Sequence, residues 1–263
     1  MTRKDIALTL PFIEKQCYYF NNNKNQSYRS LMIKLNFLKN YKIVLFSIIS
    51  IFYASNCMSL PDNFVYLEDI DPSIIQDMKY FTYDNFIGRP IKGYETGRCI
   101  ITRPAALALA KVQKILQQQS RSLKVFDCYR PQTAVNDFIE WGDDALDQKM
   151  KASYYPRVNK ADFFTLGYVG KKSGHTRGST VDLTIVRVEP DKNVTELAMG
   201  THFDFMDEHS HYFSTQVSEE ARKNRILLRE VMQTDFNPYD IEWWHFSLKN
   251  EPFPDIYFDF PVA

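Results

Sequence analysis

The sequence has 263 residues, of which 44% are hydrophobic and 15% aromatic, enough for one sizeable core and too apolar for a disordered chain. Residues 1–42 carry eight basic and two acidic side chains, whereas the remainder carries 24 basic and 30 acidic ones, a net charge of −6. An acidic body without a basic stripe argues against a nucleic-acid partner. No internal repeat or low-complexity linker follows residue 60, so the sequence predicts one domain.

An uncharged apolar run, Ile43–Ala54, precedes this domain and follows Lys34, Lys39 and Lys42. The run is too short to cross a bilayer comfortably. Basic residues before such a run, with small or polar residues after it, are typical of a secretory signal peptide. We therefore predict a cleaved leader and no stable membrane span after cleavage, with a buried helix or a membrane anchor as the alternatives.

The leader begins unusually late in the chain unless translation starts at Met32. We therefore interpret residues 1–31 as an upstream extension of the gene model, residues 32–57 as the signal peptide and residues 58–263 as the exported domain. Lipidation at Cys57 is disfavoured, because the preceding asparagine is larger than a lipoprotein cleavage site accepts. This organisation predicts a periplasmic or secreted protein.

Helix signals follow in four places. Asp71 and Pro72 resemble the N-cap and first position of a short helix. A longer helix after Thr102 is predicted from a broad apolar stripe: Leu107, Leu109, Val112, Ile115 and Leu116. Two further helices are predicted from about Thr133 to Trp141 and from Ser218 to about Met232.

Strands are predicted between and after these helices. The segment "LKVFDCYRP" ends a short strand at Pro131, "GSTVDLTIVRV" alternates apolar with polar residues, and "DIEWWHFSL" is a last strand before an aromatic tail. Helices and strands alternate irregularly, without the rhythm of β-α-β units. The sequence therefore predicts an α+β fold with a mainly antiparallel sheet flanked by helices.

The segment "SGHTRGSTVDLTI" places His175 and Asp182 seven residues apart. Asp182 lies on the polar face of its predicted strand, and Gly174 and Gly178 allow a tight turn that folds His175 back over that strand. An imidazole and a carboxylate suit zinc, which needs a third protein ligand. By itself, this spacing is weak evidence for a metal.

The third ligand is predicted in "EWWH", where His245 leaves a fourth position open for water and Glu242 is placed to accept a proton from it. Residues three apart on a regular strand point to opposite faces, so we place Glu242 at the strand's entry, before regular pleating begins. A histidine beside two tryptophans also fits an ordinary core or rim position. Arg130 ends a strand, where it either stabilises negative charge on a carbonyl oxygen or pairs with Asp127.

Together and in this order, "DCYRP", "SGHTRGSTVDLT", "MGTHFDFMDEHSH" and "EWWHF" closely resemble the zinc D-alanyl-D-alanine dipeptidases of the M15 metallopeptidases. The resemblance covers nearly all of residues 62–263. It implies a single domain of the type found in the hedgehog signalling domain and the D,D-peptidases. It also implies one Zn²⁺ per chain and hydrolysis of the small dipeptide D-Ala-D-Ala in cell-wall peptide turnover.

The resemblance further implies a role for each site residue. The implied zinc ligands are His175, Asp182 and His245. The implied catalytic residues are Glu242, as the base, and Arg130, which stabilises the transition state. The residues implied to hold the ends of the dipeptide are Tyr80, Ser173 and Asp204. The implied pocket walls, which exclude water, are Trp243 and Trp244.

Two features depart from the family pattern. Cytoplasmic members linked to vancomycin resistance lack a leader, and the usual glycine of their "DGYRP" motif is Cys128 here. Cys99 and Cys128 are the cysteines of the predicted exported domain away from its N-terminus, and their spacing alone leaves open a disulfide or two separate buried thiols. Export together with an added cysteine favours the disulfide.

Two rival functions stay open at this point. One is a D,D-carboxypeptidase of the same superfamily that acts on longer wall peptides. The other is a non-catalytic zinc-binding module, as in the hedgehog domain. The presence of both Glu242 and Arg130 argues against such a module, because a structural zinc needs neither residue.

Overall fold

Two sheets and six helices build residues 60–263, the part of the chain that the computed structural model describes, apart from Lys192. The strands are β1 (Phe64–Tyr66), β2 (Ile75–Gln76), β3 (Ile100–Thr102), β4 (Arg121–Asp127), β5 (Thr180–Val188), β6 (Val194–Glu196), β7 (Phe236–Tyr239) and β8 (Glu242–Leu248). The helices are α1 (Leu67–Ile70), α2 (Arg103–Gln117), α3 (Gln132–Asp143), α4 (Lys151–Tyr154), α5 (Phe163–Leu166) and α6 (Glu219–Met232). The predicted extension and leader lie outside the described residues.

The larger sheet carries the functional part of the molecule. Its strand order is β2-β4-β5-β8-β7, with β6 paired to the far end of β5, and β1 and β3 form a separate antiparallel pair. The prediction of a mainly antiparallel sheet needs correction, because the sheet is mixed: β2 pairs with β4 in parallel. Parallel neighbours need a long crossover, which β3 and α2 supply here.

Helix α2 packs one face on the sheet, but the face is narrower than predicted. Leu109, Val112 and Leu116 are buried, as expected from the stripe. Leu107 and Ile115 are 50% and 47% exposed, so they lie outside it. Small residues complete the buried face instead: Ala105, Ala106 and Ala108.

The helix predicted to start at Asp71 is wrong. The Asp71 carboxylate accepts a hydrogen bond from the Ser73 backbone N–H at 3.0 Å, which closes a local turn rather than a helical one. Ile75 and Gln76 then pair with β4 as the short strand β2. Pairing with an exposed sheet edge therefore prevails over the local capping signal.

The remaining predicted elements are confirmed within a few residues. Ser218 caps α6 by accepting a hydrogen bond from Ala221 N–H at 3.1 Å. In the aromatic tail, Phe258 and Phe260 pack their rings against Phe64 at centroid distances of 5.0 and 5.1 Å. Among the described residues, no helix is long and apolar enough to cross a membrane.

Candidate active site

Three side chains that could hold a metal ion meet where β5 and β8 pair. Asp182 on β5 lies directly opposite His245 on β8 in the antiparallel register. His175 comes from the 3₁₀ turn Gly174–Arg177, which immediately precedes β5. The sheet register and one tight turn therefore bring together residues that are up to 70 positions apart.

The turn that presents His175 depends on its two glycines. Gly178 has φ of +79°, and a Cβ atom there would lie 2.2 Å from the Phe64 ring. A Cβ atom at Gly174 would lie 2.7 Å from the Thr180 hydroxyl. Ser173 caps the turn, because its hydroxyl accepts a hydrogen bond from the His175 backbone N–H at 3.2 Å. Larger residues at either glycine would displace His175.

The spacing of the three donor groups fits a metal ion. His175 Nε2 lies 3.2 Å from the Asp182 carboxylate, His245 Nδ1 lies 3.1 Å from it, and the two nitrogens are 3.3 Å apart. Ligands about 2.0 Å from a tetrahedral zinc ion are themselves separated by about 3.3 Å. Among the described residues, Asp182 Oδ1 is a buried atom without a hydrogen-bond partner. Three nitrogen and oxygen donors, one of them an orphaned carboxylate oxygen, therefore suit a divalent ion such as zinc.

A backbone carbonyl fixes the orientation of His175. The carbonyl oxygen of Cys128 lies 2.7 Å from His175 Nδ1, and a carbonyl can only accept a hydrogen bond. Nδ1 therefore carries the proton, and Nε2 presents its lone pair toward Asp182 and His245. This is the arrangement that orients imidazole metal ligands in proteins.

Glu242 shares the side of β8 on which His245 lies. It is the first residue of β8, and its carboxylate is 3.5 Å from His245 Nδ1. Neighbouring residues of β7 pair with residues four apart on β8: Pro238 with Phe246, and Tyr239 with Glu242. Because of this irregularity, Glu242 and His245 lie on the same side of β8 although they are three positions apart. The predicted position of Glu242 at the start of the strand requires this arrangement.

Arg130 both pairs with Asp127 and lines the cavity. The salt bridge and the position facing the cavity, predicted as alternatives, are therefore compatible. Its Nε donates to the Asp127 carboxylate at 2.9 Å, and its Nη2 lies 3.5 Å from the Asp182 carboxylate. Asp127 is fully buried and also accepts a hydrogen bond from the Tyr94 hydroxyl at 2.6 Å. Sequence reasoning considered Asp127 only as a salt-bridge partner and missed its role in fixing the guanidinium.

A cavity of about 210 Å³ surrounds these groups. Tyr80, Ser173 and Asp204 line it, together with the three candidate metal ligands, Glu242 and Arg130. Tyr80 donates its hydroxyl proton to Asp204 Oδ2 at 2.9 Å. Asp204 has φ of +60°, a backbone conformation that costs free energy in a residue other than glycine. That strain, together with the burial of Asp204, points to a functional carboxylate.

More acidic side chains than lysines and arginines line the cavity: Asp182, Asp204 and Glu242 against Arg130 and Lys172. Burial raises the pKa of Glu242 well above its ordinary value, and the Asp182 and Asp204 carboxylates raise it further. Burial likewise raises the pKa of Asp204, with Asp182 adding to the effect. Burial opposes ionisation of Asp182 as well, but His175 and His245 outweigh it and hold the pKa of Asp182 well below its usual range. A bound cation would offset this repulsion.

Trp243 does not wall the cavity, contrary to prediction. Adjacent residues on a strand point to opposite faces, so only Trp244 lines the site. Trp243 packs on the other face, where its Nε1 donates to the Thr201 hydroxyl at 2.9 Å. Sequence reasoning also missed three residues that line the cavity with polar side chains: Tyr168, Lys172 and Tyr239. The segment "GYVGKKSG" gave no periodic signal that could have identified the first two.

Cys99 and Cys128 are adjacent in space. Both are fully buried, their Cα atoms lie 5.4 Å apart, and their Sγ atoms lie within bonding distance. A separation above about 7 Å between the Cα atoms would have excluded a disulfide. Cys99 immediately precedes β3, and Cys128 follows β4 and supplies the carbonyl that orients His175.

The fold and the site together define a class of protein. Three protein donors with room for a further ligand are typical of a catalytic metal centre. A carboxylate beside that centre, a guanidinium and a substrate-sized cavity complete the features of a metal-dependent hydrolase.

Comparison with known proteins places the chain within this class. The D-ala-D-ala dipeptidase model of peptidase family M15 matches residues 61–263, so the chain belongs to that family of metallopeptidases. A D-alanyl-D-alanine dipeptidase of Enterococcus faecium is 41% identical over 200 residues, which cover 76% of this chain and 98% of that protein. The protein of the same name from Enterococcus faecalis is 40% identical over 205 residues, covering 78% of this chain and 100% of its own length. The Escherichia coli protein of that name is 34% identical over 192 residues, covering 73% and 87%. The resemblance stated from the sequence is confirmed.

Proposed function

We propose that this chain is a zinc-dependent dipeptidase that hydrolyses D-Ala-D-Ala to two D-alanines in cell-wall peptide turnover. The observation that carries the proposal is the convergence of five side chains in one cavity: His175, Asp182, His245, Glu242 and Arg130. About 40% identity to proteins named D-alanyl-D-alanine dipeptidase supports the choice of substrate.

His175, Asp182 and His245 would hold the zinc ion. When bound, zinc supplies positive charge that lowers the pKa of water and polarises a carbonyl group. Glu242 lies 3.5 Å from His245 Nδ1, so its carboxylate can accept a proton from the attacking water. The same carboxylate then passes that proton to the leaving amine of the second residue.

Arg130 would stabilise the negative charge that develops on the scissile carbonyl oxygen. Its guanidinium is held by Asp127 on one side and faces the cavity on the other. Being positioned before the substrate arrives, it needs little reorganisation during the reaction.

The ammonium end and the carboxylate end of the dipeptide would bind to different side chains of the cavity. Asp204 would accept hydrogen bonds from the α-ammonium group of the substrate. Tyr80 orients the Asp204 carboxylate by donating a hydrogen bond to it at 2.9 Å. Ser173 lines the same cavity and can donate its hydroxyl proton to the substrate carboxylate. Recognition of both charged ends would restrict the enzyme to dipeptides.

A substrate panel tests this function. The purified protein should release D-alanine from D-Ala-D-Ala, should leave L-Ala-L-Ala and longer peptides ending in D-Ala-D-Ala largely intact, and should lose activity with a metal chelator. Activity should return with added zinc, measured by released amino acid. Preference for the longer peptides would replace the proposal with a D,D-carboxypeptidase. Tight zinc binding without any hydrolysis would replace it with a non-catalytic module.

We also propose that the protein is exported, with residues 32–57 as its signal peptide. The charge-free run that follows three lysines supports this proposal. Protein isolated from its native host should begin between Cys57 and Pro61 and should be found in the periplasm or the medium. N-terminal sequencing that finds Met1 intact would refute both the cleavage and the revised start.

An exported enzyme would contain the Cys99–Cys128 disulfide. The two cysteines are 29 residues apart in the chain, and a loop of that length predicts a stabilisation of about 3 to 4 kcal/mol. Cys99→Ser with Cys128→Ser should therefore lower the free energy of unfolding by this amount in urea denaturation. Reductant should destabilise the wild-type protein but not the double variant. Titration of two free thiols, at Cys99 and Cys128, in oxidised and denatured wild-type protein would contradict the pairing.

A further inference from the structure

Arg225 is a buried cation that the proposed reaction does not use. It lies on α6 with 1% of its surface exposed. Among the described residues, its hydrogen-bond partners are three backbone carbonyls and no carboxylate. Burial lowers the pKa of Arg225 to about 10, which leaves it protonated at neutral pH. Burying an uncompensated charge is costly, so the three carbonyl groups are what stabilises the guanidinium in this buried position.

The three carbonyls belong to the two ends of one loop. We call residues Met199–His211 the Asp204 loop, because it carries that carboxylate into the cavity. Arg225 Nε donates to the carbonyl of Met199 at 2.7 Å, at the start of the loop. Its two terminal nitrogens donate to the carbonyls of His211 at 2.8 Å and His209 at 2.9 Å, at the end of the loop.

The shape of the guanidinium explains why an arginine occupies this position. Its donors point in fixed directions within one plane and reach three separate carbonyls, whereas the three donors of a lysine all lie on one nitrogen. The loop that Arg225 closes also contains the strained backbone of Asp204, with φ of +60°. Such a conformation persists only where its surroundings hold it in place.

We propose that Arg225 is a positioning residue for substrate recognition. Its guanidinium joins both ends of the Asp204 loop and so holds the Asp204 carboxylate where it receives the α-ammonium group of the dipeptide. This inference rests on the proposed function. Arg225 itself does not line the cavity, so its effect on the substrate passes through the loop.

The test compares two ligands that differ only in the α-ammonium group. D-Ala-D-Ala carries that group, and N-propanoyl-D-alanine, used as a competitive inhibitor, has hydrogen in its place. Arg225→Lys should raise KM for the dipeptide about tenfold through loss of hydrogen bonds and misplacement of Asp204. The change in kcat should be smaller, and the inhibition constant of the analogue and the zinc content should stay unchanged. A merely structural defect would weaken both ligands equally and would overturn the proposal.

Two further variants make the result decisive. Arg222→Lys makes the same exchange on the same helix and should leave KM unchanged, because within residues 60–263 this arginine donates only to the Thr215 carbonyl at 3.5 Å. Asp204→Asn should raise KM without affecting the analogue. If it does not, the assignment of Asp204 in the proposed function fails, and the present inference with it. If Asp204→Asn raises KM and Arg225→Lys does not, only the present inference fails.

A second hydrogen bond from α6 to this region provides a test if Arg225→Lys does not fold. Asn224 lies nearer the surface and donates to the carbonyl of Ala198 at 2.9 Å, one residue before the Asp204 loop. Loss of one such hydrogen bond in Asn224→Ala should raise KM for the dipeptide about threefold and leave the analogue unaffected. An unchanged KM in this variant would overturn the proposal.

Discussion

Glu242→Gln should abolish most turnover of D-Ala-D-Ala while the protein keeps its zinc. The amide has nearly the same shape as the carboxylate but cannot accept a proton, and loss of a general base costs at least about 10²-fold in kcat. The loss should be larger here, because the same group serves both the attacking water and the leaving amine. Zinc should stay bound at one ion per chain, since Glu242 is outside the set of His175, Asp182 and His245. Steady-state kinetics and metal analysis on one preparation measure both quantities.

Glu140→Gln is the matched control for this variant. Glu140 pairs with Lys92 at 2.6 Å on the surface and does not line the cavity, so kcat should stay near the wild-type value. Hydrolysis by Glu242→Gln at the wild-type rate would show that another group is the base. Loss of zinc from Glu242→Gln would instead make Glu242 a metal ligand, and the three-ligand site would be wrong.

Long elements with a clear period could be predicted from the sequence. The helices α2 and α6 and the strand β5 carry enough apolar repeats that local pattern and tertiary packing agree. Short elements could not, because β2, with two residues, exists only through its pairing with β4. The Asp71 segment shows the same limit, since its capping signal is satisfied by a turn rather than a helix.

The chemistry of the site could be predicted better than its supports. His175, Asp182, His245 and Glu242 have side chains suited to metal binding and proton transfer, and their motifs taken together identify the family. The groups that hold them carry no such signal: the carbonyl that orients His175 belongs to Cys128, 47 positions away, and any residue could supply it. Trp243 was misplaced because the local sequence shows two equivalent tryptophans, whereas the strand sends them to opposite faces.

His175→Ala should remove metal and activity together. Its Nε2 is one of three donors spaced 3.1 to 3.3 Å apart, and two remaining protein ligands cannot hold zinc in a tetrahedral site. Zinc content after dialysis should fall from about one ion per chain to a small fraction, and hydrolysis should become undetectable, because zinc activates the water. The histidine is buried and its ring also donates to the Cys128 carbonyl, so thermal unfolding must show that the variant folds.

His209→Ala and Arg130→Ala separate the possible causes of that loss. His209 lies in the Asp204 loop but outside the cavity, so His209→Ala should keep its zinc, and any effect should fall on KM through the loop rather than on kcat. Arg130→Ala should keep zinc but lose kcat by about 10²-fold or more, as expected for a group that acts only on charge formed in the transition state. Full zinc content in folded His175→Ala would exclude His175 as a ligand. Loss of zinc in Arg130→Ala would mean that the Asp127–Arg130 pair maintains the metal site itself, because the guanidinium also lies 3.5 Å from the Asp182 carboxylate. The three variants thus distinguish a residue that binds the metal from one that stabilises the transition state.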